Sequence, residues 1–496
     1  MNGLHWIDGI IIVTYAGAML ALGWYYSRRQ QSTDEYFTGG RAMNPVLVGV
    51  SLFATLMSTI SYLSSPGEII KNGPIMLAGT VSVPIGYLIV GYILIPTFMK
   101  YRLTSAYELL EIKLGVSTRL LGAAMFIALR VLWMSTLLNF AAEAMLVILG
   151  WDSSWLLPVT IVIGTVALIY SALGGLQAVV ITDAAQFILL FGGAVMIVAV
   201  VTFQLGGFSW FPTEWDPAWK PQPVFSLDPY LRMTVVGVIA MQTLWTVCTA
   251  GADQTAVQRF MATKDAAAAR RSYLVNSVVG LAVTVVMTLV GLALKGYCEA
   301  VPSFVPAGET VASYADRLFP HFIANKLPIG IAGLVVSGMF AAAMSSIDSG
   351  VNSISAVVLR DFVDRFRQSP VDQVTHVRIA RSIAIVVGSI VVGGSTLIPY
   401  VQGNLLEVSK RVVGVLVAPL FTLFFMALFV RRASVIGTNV GALSGFASAI
   451  LVSYWSPIVE ERALSMTLIS PTALTVGVTV GFVVSCLFPK KANAKS

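Results

Sequence analysis

Apolar stretches of about 20 residues, the length a helix needs to cross the hydrocarbon core of a bilayer, recur almost without interruption along this chain. We read thirteen, at roughly 6–27, 45–66, 76–99, 119–149, 154–173, 180–205, 231–250, 275–299, 327–358, 379–400, 412–430, 434–456 and 465–487. No water reaches the middle of a bilayer, so every backbone N–H and C=O there needs a partner within the protein, which a helix supplies. Of the 496 residues, 57% are hydrophobic and 11% charged, whereas a soluble domain carries about 25% charge. So apolar a chain cannot hide its excess inside a globule, because a surface must still face water. The expected fold class is an all-α membrane protein with 13 transmembrane helices.

The basic residues set the orientation. With the N-terminus outside, the loops assigned to the cytoplasm carry 21 of the 31 Lys and Arg, nine fall outside and Arg130 sits within a span. Cytoplasmic loops collect the excess of positive charge, so the expected topology is N-terminus outside and C-terminus cytoplasmic, in a bacterial inner membrane. The first apolar run lacks the basic region of a signal peptide and is long enough to span. A net charge of +7 spread over short loops is no nucleic-acid face. Cys248, Cys298 and Cys486 are scattered and odd in number, so no disulfide framework is implied. His5, His321 and His376 lie apart, which argues against a catalytic metal site. Without a nucleophile–base arrangement, an enzyme is not expected.

Polar residues inside the spans carry the functional signal. The second span holds Ser51, Thr55, Ser58, Thr59, Ser61, Ser64 and Ser65 and runs into Pro66-Gly67. Proline removes a backbone donor and hydroxyls offer alternative partners, so a broken helix with carbonyls turned to a cation can form. The same hydroxyls equally allow close helix packing or bond back to their own carbonyls. In the ninth span, Ala341-Ala342-Ala343 leads into Ser345-Ser346 and Asp348-Ser349. Ser346 lies one turn beyond Ala342, which supplies either a local hydrogen bond or two oxygens of a cation site. A carboxylate inside a span costs about 2.5–3.5 kcal/mol on insertion scales and commonly marks an ion path; Asp348 also lies toward the loop that begins at Arg360-Asp361. Asp183 opens the sixth span beside Thr182, where it can cap a helix or serve as a cation ligand.

These residues resemble the sodium:solute symporter family, whose members carry sugars, proline, sialic acid, monocarboxylates and vitamins. The resemblance covers nearly the whole chain. It rests on Asp34-Glu35-Tyr36-Phe37 with Gly39-Gly40-Arg41, on Leu103 to Glu108, on Tyr170 to Asp183, on Gln254 to Arg259 and on Ser345-Ser346. It implies a leucine-transporter-type fold with inverted five-helix repeats. The expected divisions are a leading helix and loop (1–44), a first repeat (45–205), a second repeat (206–433) and two C-terminal helices (434–496). The broken second and seventh spans would face each other at the midplane.

Carried over by resemblance, the main sodium site uses carbonyls of Ala54, Met57 and Ala342 with hydroxyls of Ser345 and Ser346. A second sodium site, as in sialic-acid carriers, uses Asp183, Ser345 and Ser349, with Asp348 standing where those carriers have serine. The solute pocket is expected from Ser58, Ser61, Thr80, Trp133, Gln242, Trp245 and Thr246, the last three on the broken seventh span. Trp133 replaces the carboxylate-binding arginine of sialic-acid carriers, and Arg130 lies one turn away on a similar face. Arg411, matched to a pocket glutamine of sugar carriers, suits a carboxylate through a bidentate bond; with Lys410 it equally suits the outer headgroup region.

The expected function is sodium-coupled import, by a monomer, of a small carboxylated solute, sialic-acid-like or a monocarboxylate. A neutral-solute symporter such as a sugar carrier, and an ion channel, are the alternatives. For an anionic solute the energetics favour two sodium ions. One Na⁺ moving with one anion is electroneutral and keeps only the roughly 1.4 kcal/mol of a tenfold gradient. A second adds about 3.7 kcal/mol at 100 mV.

Overall fold

The computed structural model describes residues 4–27, 39–57, 59–101, 103–366, 373–401, 403–459 and 462–489. Ser58 and the Asp34-Glu35-Tyr36-Phe37 motif lie outside the described residues. All regular structure among the described residues is helical. The helices that frame the site are α1 (Trp6–Ser27), α2 (Pro45–Leu56), α3 (Thr59–Asn72) and α4 (Pro74–Met99, of mixed pitch). They continue with α5 (Val116–Leu149), α6 (Leu156–Gln204), α7 (Val235–Ala252), α8 (Gln254–Met261), α9 (Ala266–Ala300) and α10 (Ala315–Lys326). The chain closes with α11 (Ile331–Val357), α12 (Gln373–Ser395), α13 (Leu405–Phe429), α14 (Val435–Ser453) and α15 (Ile469–Leu487).

Among the described residues, ten helical segments are long and apolar enough to cross a membrane, and up to eleven if the bent pair α2–α3 makes one crossing. Two shorter apolar helices, Trp6–Leu22 and Ser153–Ile169, accompany them. The chain is a multi-pass membrane protein. Local capping fixes where several helices start. The Asn44 side chain accepts from the Val46 N–H, with Pro45 in the first turn of α2; Thr234, Asp253, Asp265 and Asn404 do the same for α7, α8, α9 and α13. Each side-chain oxygen satisfies a donor that the first turn would leave open.

Two expectations need correction. The spans read as 154–173 and 180–205 join in one 49-residue helix, Leu156–Gln204. Gly174 and Gly175 weaken helix propensity there but, unlike proline, do not stop the backbone ladder. The seventh span is not broken where its pocket residues sit. α7 is continuous, and the chain turns only at Asp253, which adopts an extended conformation (φ −82°, ψ 120°) before α8.

α11 lies at the centre, with 83% of the apolar window of its crossing buried against 33% for those of α12, α14 and α15. Its small residues explain this, because Ala and Ser let neighbouring backbones come close. Ion pairs bracket the interior above and below. On one side Arg232 reaches Glu68 at 2.5 and 2.8 Å and Glu407 at 3.0 Å. On the other, Arg119 bonds Asp361 and Glu111, both at 2.7 Å, and Ser105 bonds Asp361 at 2.6 Å.

α14 and α15 pack backbone to backbone through Gly437, Gly441, Gly477 and Gly481. A Cβ at Gly441 would stand 2.4 Å from the Gly477 carbonyl oxygen, and backbone cannot yield as a side chain can. Gly441→Ala is therefore expected to cost about 1–3 kcal/mol through overpacking. Gly17→Ala on α1, where a Cβ meets nothing within 4 Å, should be neutral or mildly stabilising. Thermal denaturation of the two purified variants checks the contrast.

Candidate ion and solute site

The site begins where α2 ends. Met57 leaves helical geometry (φ −82°, ψ 95°), and α3 sets off at 60° to α2. The last carbonyls of a helix have no partner within it, so the break turns backbone oxygens of Ala54, Thr55 and Met57 into available acceptors. α11 passes beside them. Ser346 donates to the Thr55 carbonyl at 3.0 Å, and Ala342, Ser345 and Ser346 are all buried. Thus the five residues expected at a main cation site, Ala54, Met57, Ala342, Ser345 and Ser346, lie on two helices that meet at a helix break. An oxygen-only set of this kind suits a hard cation such as Na⁺.

One turn toward α6 lies a second polar cluster, entirely buried. Asp183 accepts from Ser345 Oγ at 2.5 Å and from Ser51 Oγ at 2.5 Å. The Arg259 guanidinium reaches the same carboxylate at 3.2 Å, and both side chains are fully shielded from solvent. Arg259 also donates to Thr55 Oγ1 at 2.5 Å, to Ser349 Oγ at 2.6 Å, to Ser51 Oγ at 2.9 Å and to the Thr255 carbonyl at 3.2 Å. Asp183 is no helix cap: it sits well inside α6, where the amides are already bonded along the helix. The structure gathers Asp183, Ser345 and Ser349 around one point, with Asp348 buried on the same helix.

Beside these oxygens opens a cavity of about 290 Å³ between α2–α3, α4, α7, α9 and α13. Met57, Ser61, Thr80, Trp133, Gln242, Trp245 and Thr246 line it, as does Lys410. Its walls hold three buried polar atoms without a protein hydrogen-bond partner among the described residues, Trp133 Nε1, Thr249 Oγ1 and Ser64 Oγ. Buried polar atoms are normally satisfied, so these walls suit a polar guest. The Trp133 and Trp245 rings stack at 5.8 Å and 26°, giving the cavity a flat aromatic side.

Two charges fall elsewhere than expected. Arg411 is not on the cavity wall; its charge acts on Tyr454 at the end of α14. Lys410 holds the wall position, with Nζ 4.4 Å from the centre of the Trp245 ring and no carboxylate partner among the described residues. One residue along a helix is a turn of about 100°, enough to exchange wall for periphery. Leu406, Ser409 and Lys410 line the cavity together, and this i, i+3, i+4 phase is the sequence signal that separates Lys410 from Arg411. Arg130 is also withheld from a solute. Its guanidinium pairs with Asp253, through Nε at 3.2 Å and a shorter Nη2 contact, and lies 5.5 Å from the Trp133 ring centre. Arg259, counted from the sequence as a cytoplasmic loop charge, is a buried member of the site; its motif from Gln254 carried the hint.

Comparison with known proteins agrees with this architecture. Residues 36–447 match the model of the sodium:solute symporter family. The chain is 28% identical over 472 residues to the sodium/sialic acid symporter SiaT of Proteus mirabilis, covering 92% of each. It is 29% identical over 471 residues to the human sodium-coupled monocarboxylate transporter 1, covering 92% of this chain and 75% of that one. The solved structure of a Na⁺-coupled sialic acid symporter in a substrate-bound outward-open state superposes with a TM-score of 0.83 at 28% identity, over 98% of this chain and 99% of that one. Mhp1, a nucleobase-cation-symport-1 family transporter, superposes at 0.55 with 12% identity, over 91% and 94%, a likeness of fold alone.

The Arg130–Asp253 pair gives a structural test. Asp253→Asn keeps the α8 cap but leaves a buried guanidinium uncompensated, expected to cost about 3–5 kcal/mol. Adding Arg130→Met should recover most of the loss, since a neutral side chain then meets a neutral one. Denaturation midpoints of the single and double variants measure both steps.

Proposed function

Because this chain belongs to the sodium:solute symporter family, we propose that it imports a small carboxylated solute together with sodium, by alternating access across a bacterial inner membrane. In this reading the chain crosses the membrane many times, with the N-terminus outside and the C-terminus in the cytoplasm. Residues 45–205 and 206–433 are the two inverted repeats, and a single copy does the work. Sodium takes the carbonyls of Ala54, Met57 and Ala342 with the hydroxyls of Ser345 and Ser346. The neutral oxygens hold it weakly enough to let it leave on the other side. Asp183, Ser345, Asp348 and Ser349 form the second cation position.

One observation carries the choice of solute: the Lys410 ammonium on the cavity wall. A charge held partly out of water with no opposite partner is costly, and a carboxylate is the small-molecule group that meets it. The stacked Trp133 and Trp245 rings offer an apolar flank, while Ser61, Thr80, Gln242 and Thr246 supply hydrogen bonds. The sialic acid and monocarboxylate carriers named among the relatives share a carboxylate in what they carry. A neutral sugar would use the hydroxyl and amide groups but leave the ammonium unmet.

Lys410→Gln is expected to weaken binding of a carboxylated solute by about 1.5–3 kcal/mol, the worth of a charge-assisted hydrogen bond, or roughly ten- to a hundredfold. Arg411→Gln should leave it near wild type. Competition uptake with carboxylated and neutral solutes measures the difference. Equal, small effects of the two substitutions would favour the neutral-solute alternative.

A further inference from the structure

The oxygens assigned above to the second cation position are already engaged by a side chain. Arg259 Nη2 stands 2.6 Å from Ser349 Oγ and 3.2 Å from Asp183 Oδ2, with Thr55 Oγ1 at 2.5 Å. We propose that Arg259 is a built-in rival of the transported cation, its guanidinium and a sodium ion taking turns on Asp183 and Ser349 during the cycle. The proposal deepens, and rests on, the sodium-symport reading.

The geometry excludes joint occupancy. An ion bound to both oxygens would touch the nitrogen that already bonds them, and like charges at contact inside a shielded interior repel strongly. Protonation cannot relieve the conflict, because a guanidinium stays charged at any physiological pH. One of the two must therefore withdraw. Arg259 has somewhere to go. Asp348, 1% exposed, lies on α11 between Ser345 and Ser349 and attracts the guanidinium electrostatically. The charges also balance. Asp183, Asp348 and Arg259 sum to −1, while Arg130, which also acts on Arg259, is offset by its partner Asp253. One added cation brings the cluster to neutrality with the guanidinium retained. The consequence is directional: a cation arriving at Asp183 pushes Arg259 toward Asp348, and its return helps expel the ion.

The test is sodium titration of the purified full-length protein, NaCl replacing KCl at constant ionic strength, read by thermal stabilisation and by tryptophan fluorescence. Arg259→Gln keeps hydrogen-bonding capacity but removes the rival charge. Its sodium midpoint should fall at least tenfold, while its maximal uptake rate in proteoliposomes drops because the ion is no longer expelled. Arg259→Lys should give an intermediate midpoint. Arg259→Lys decides the matter if the glutamine variant does not fold. Asp348→Asn should raise the midpoint at least tenfold, and by clearly less when combined with Arg259→Lys, whereas loss of a sodium ligand alone would raise both equally. Wild-type midpoints in a folded Arg259→Gln or in Asp348→Asn would overturn the proposal while leaving sodium symport intact. No sodium response in the wild-type protein would overturn both.

Discussion

The contact between Asp183 and Arg259 is the constraint around which the interior is arranged. Both side chains are wholly buried, in a molecule whose outer faces meet lipid. Two opposite charges in such a place are far more costly to strand singly than to keep together, so the helices that carry them must stay close. Their hydroxyl partners extend that demand. Ser51 and Thr55 come from α2, Ser345 and Ser349 from α11, and the charges from α6 and α8. Four helices are thus tied at one point by groups that water cannot replace. The break at Met57 follows from the same geometry: α2 must approach α6 and α11 with Ser51 and Thr55, then turn aside so that α3 can line the cavity.

The solute cavity and the charged cluster are joined by a run of direct contacts. Lys410 lies over Trp245, Trp245 stacks on Trp133, and Arg130 lies over Trp133. Arg130 is held by Asp253, whose side chain also caps the helix that carries Arg259. On the other side, Met57 belongs both to the cavity wall and to the helix break beside Ser346. A symporter needs its two cargoes to sense one another, and here their candidate positions share walls.

Much of this was legible in the sequence, for definite reasons. Lipid permits few backbone forms, so apolar runs reported the helices without help from tertiary contacts. Hydroxyls and carboxylates are expensive in an apolar span, which is why Ser345, Ser346 and Asp183 stood out. The family resemblance named Ser61, Thr80, Trp133, Gln242, Trp245 and Thr246, and these six line the cavity together with many residues it did not name. What failed was helical phase and continuity. Lys410 and Arg411 are adjacent in sequence and differ only in which way the helix turns them. A break could be read from Pro66 and the hydroxyl run, but the structure puts the bend at Met57, where no proline marks it. For α7 the chain turns at Asp253, a capping residue whose role depends on the buried Arg130 that it meets. Pairings such as Arg259 with Asp183, or Arg130 with Asp253, join residues 76 and 123 positions apart, and no local pattern encodes them.

The central claim is that sodium and a carboxylated solute bind to one coupled site. It is tested most directly by measuring each ligand's affinity in the presence of the other, on purified protein, across sialic acid, short monocarboxylates and neutral sugars. Coupling free energy is reciprocal. The account predicts that Na⁺, and not K⁺, tightens binding of a carboxylated solute, and that the saturating solute tightens Na⁺ binding by the same factor. Solute binding of equal strength in Na⁺ and K⁺, or sodium binding indifferent to every carboxylated solute, would contradict it.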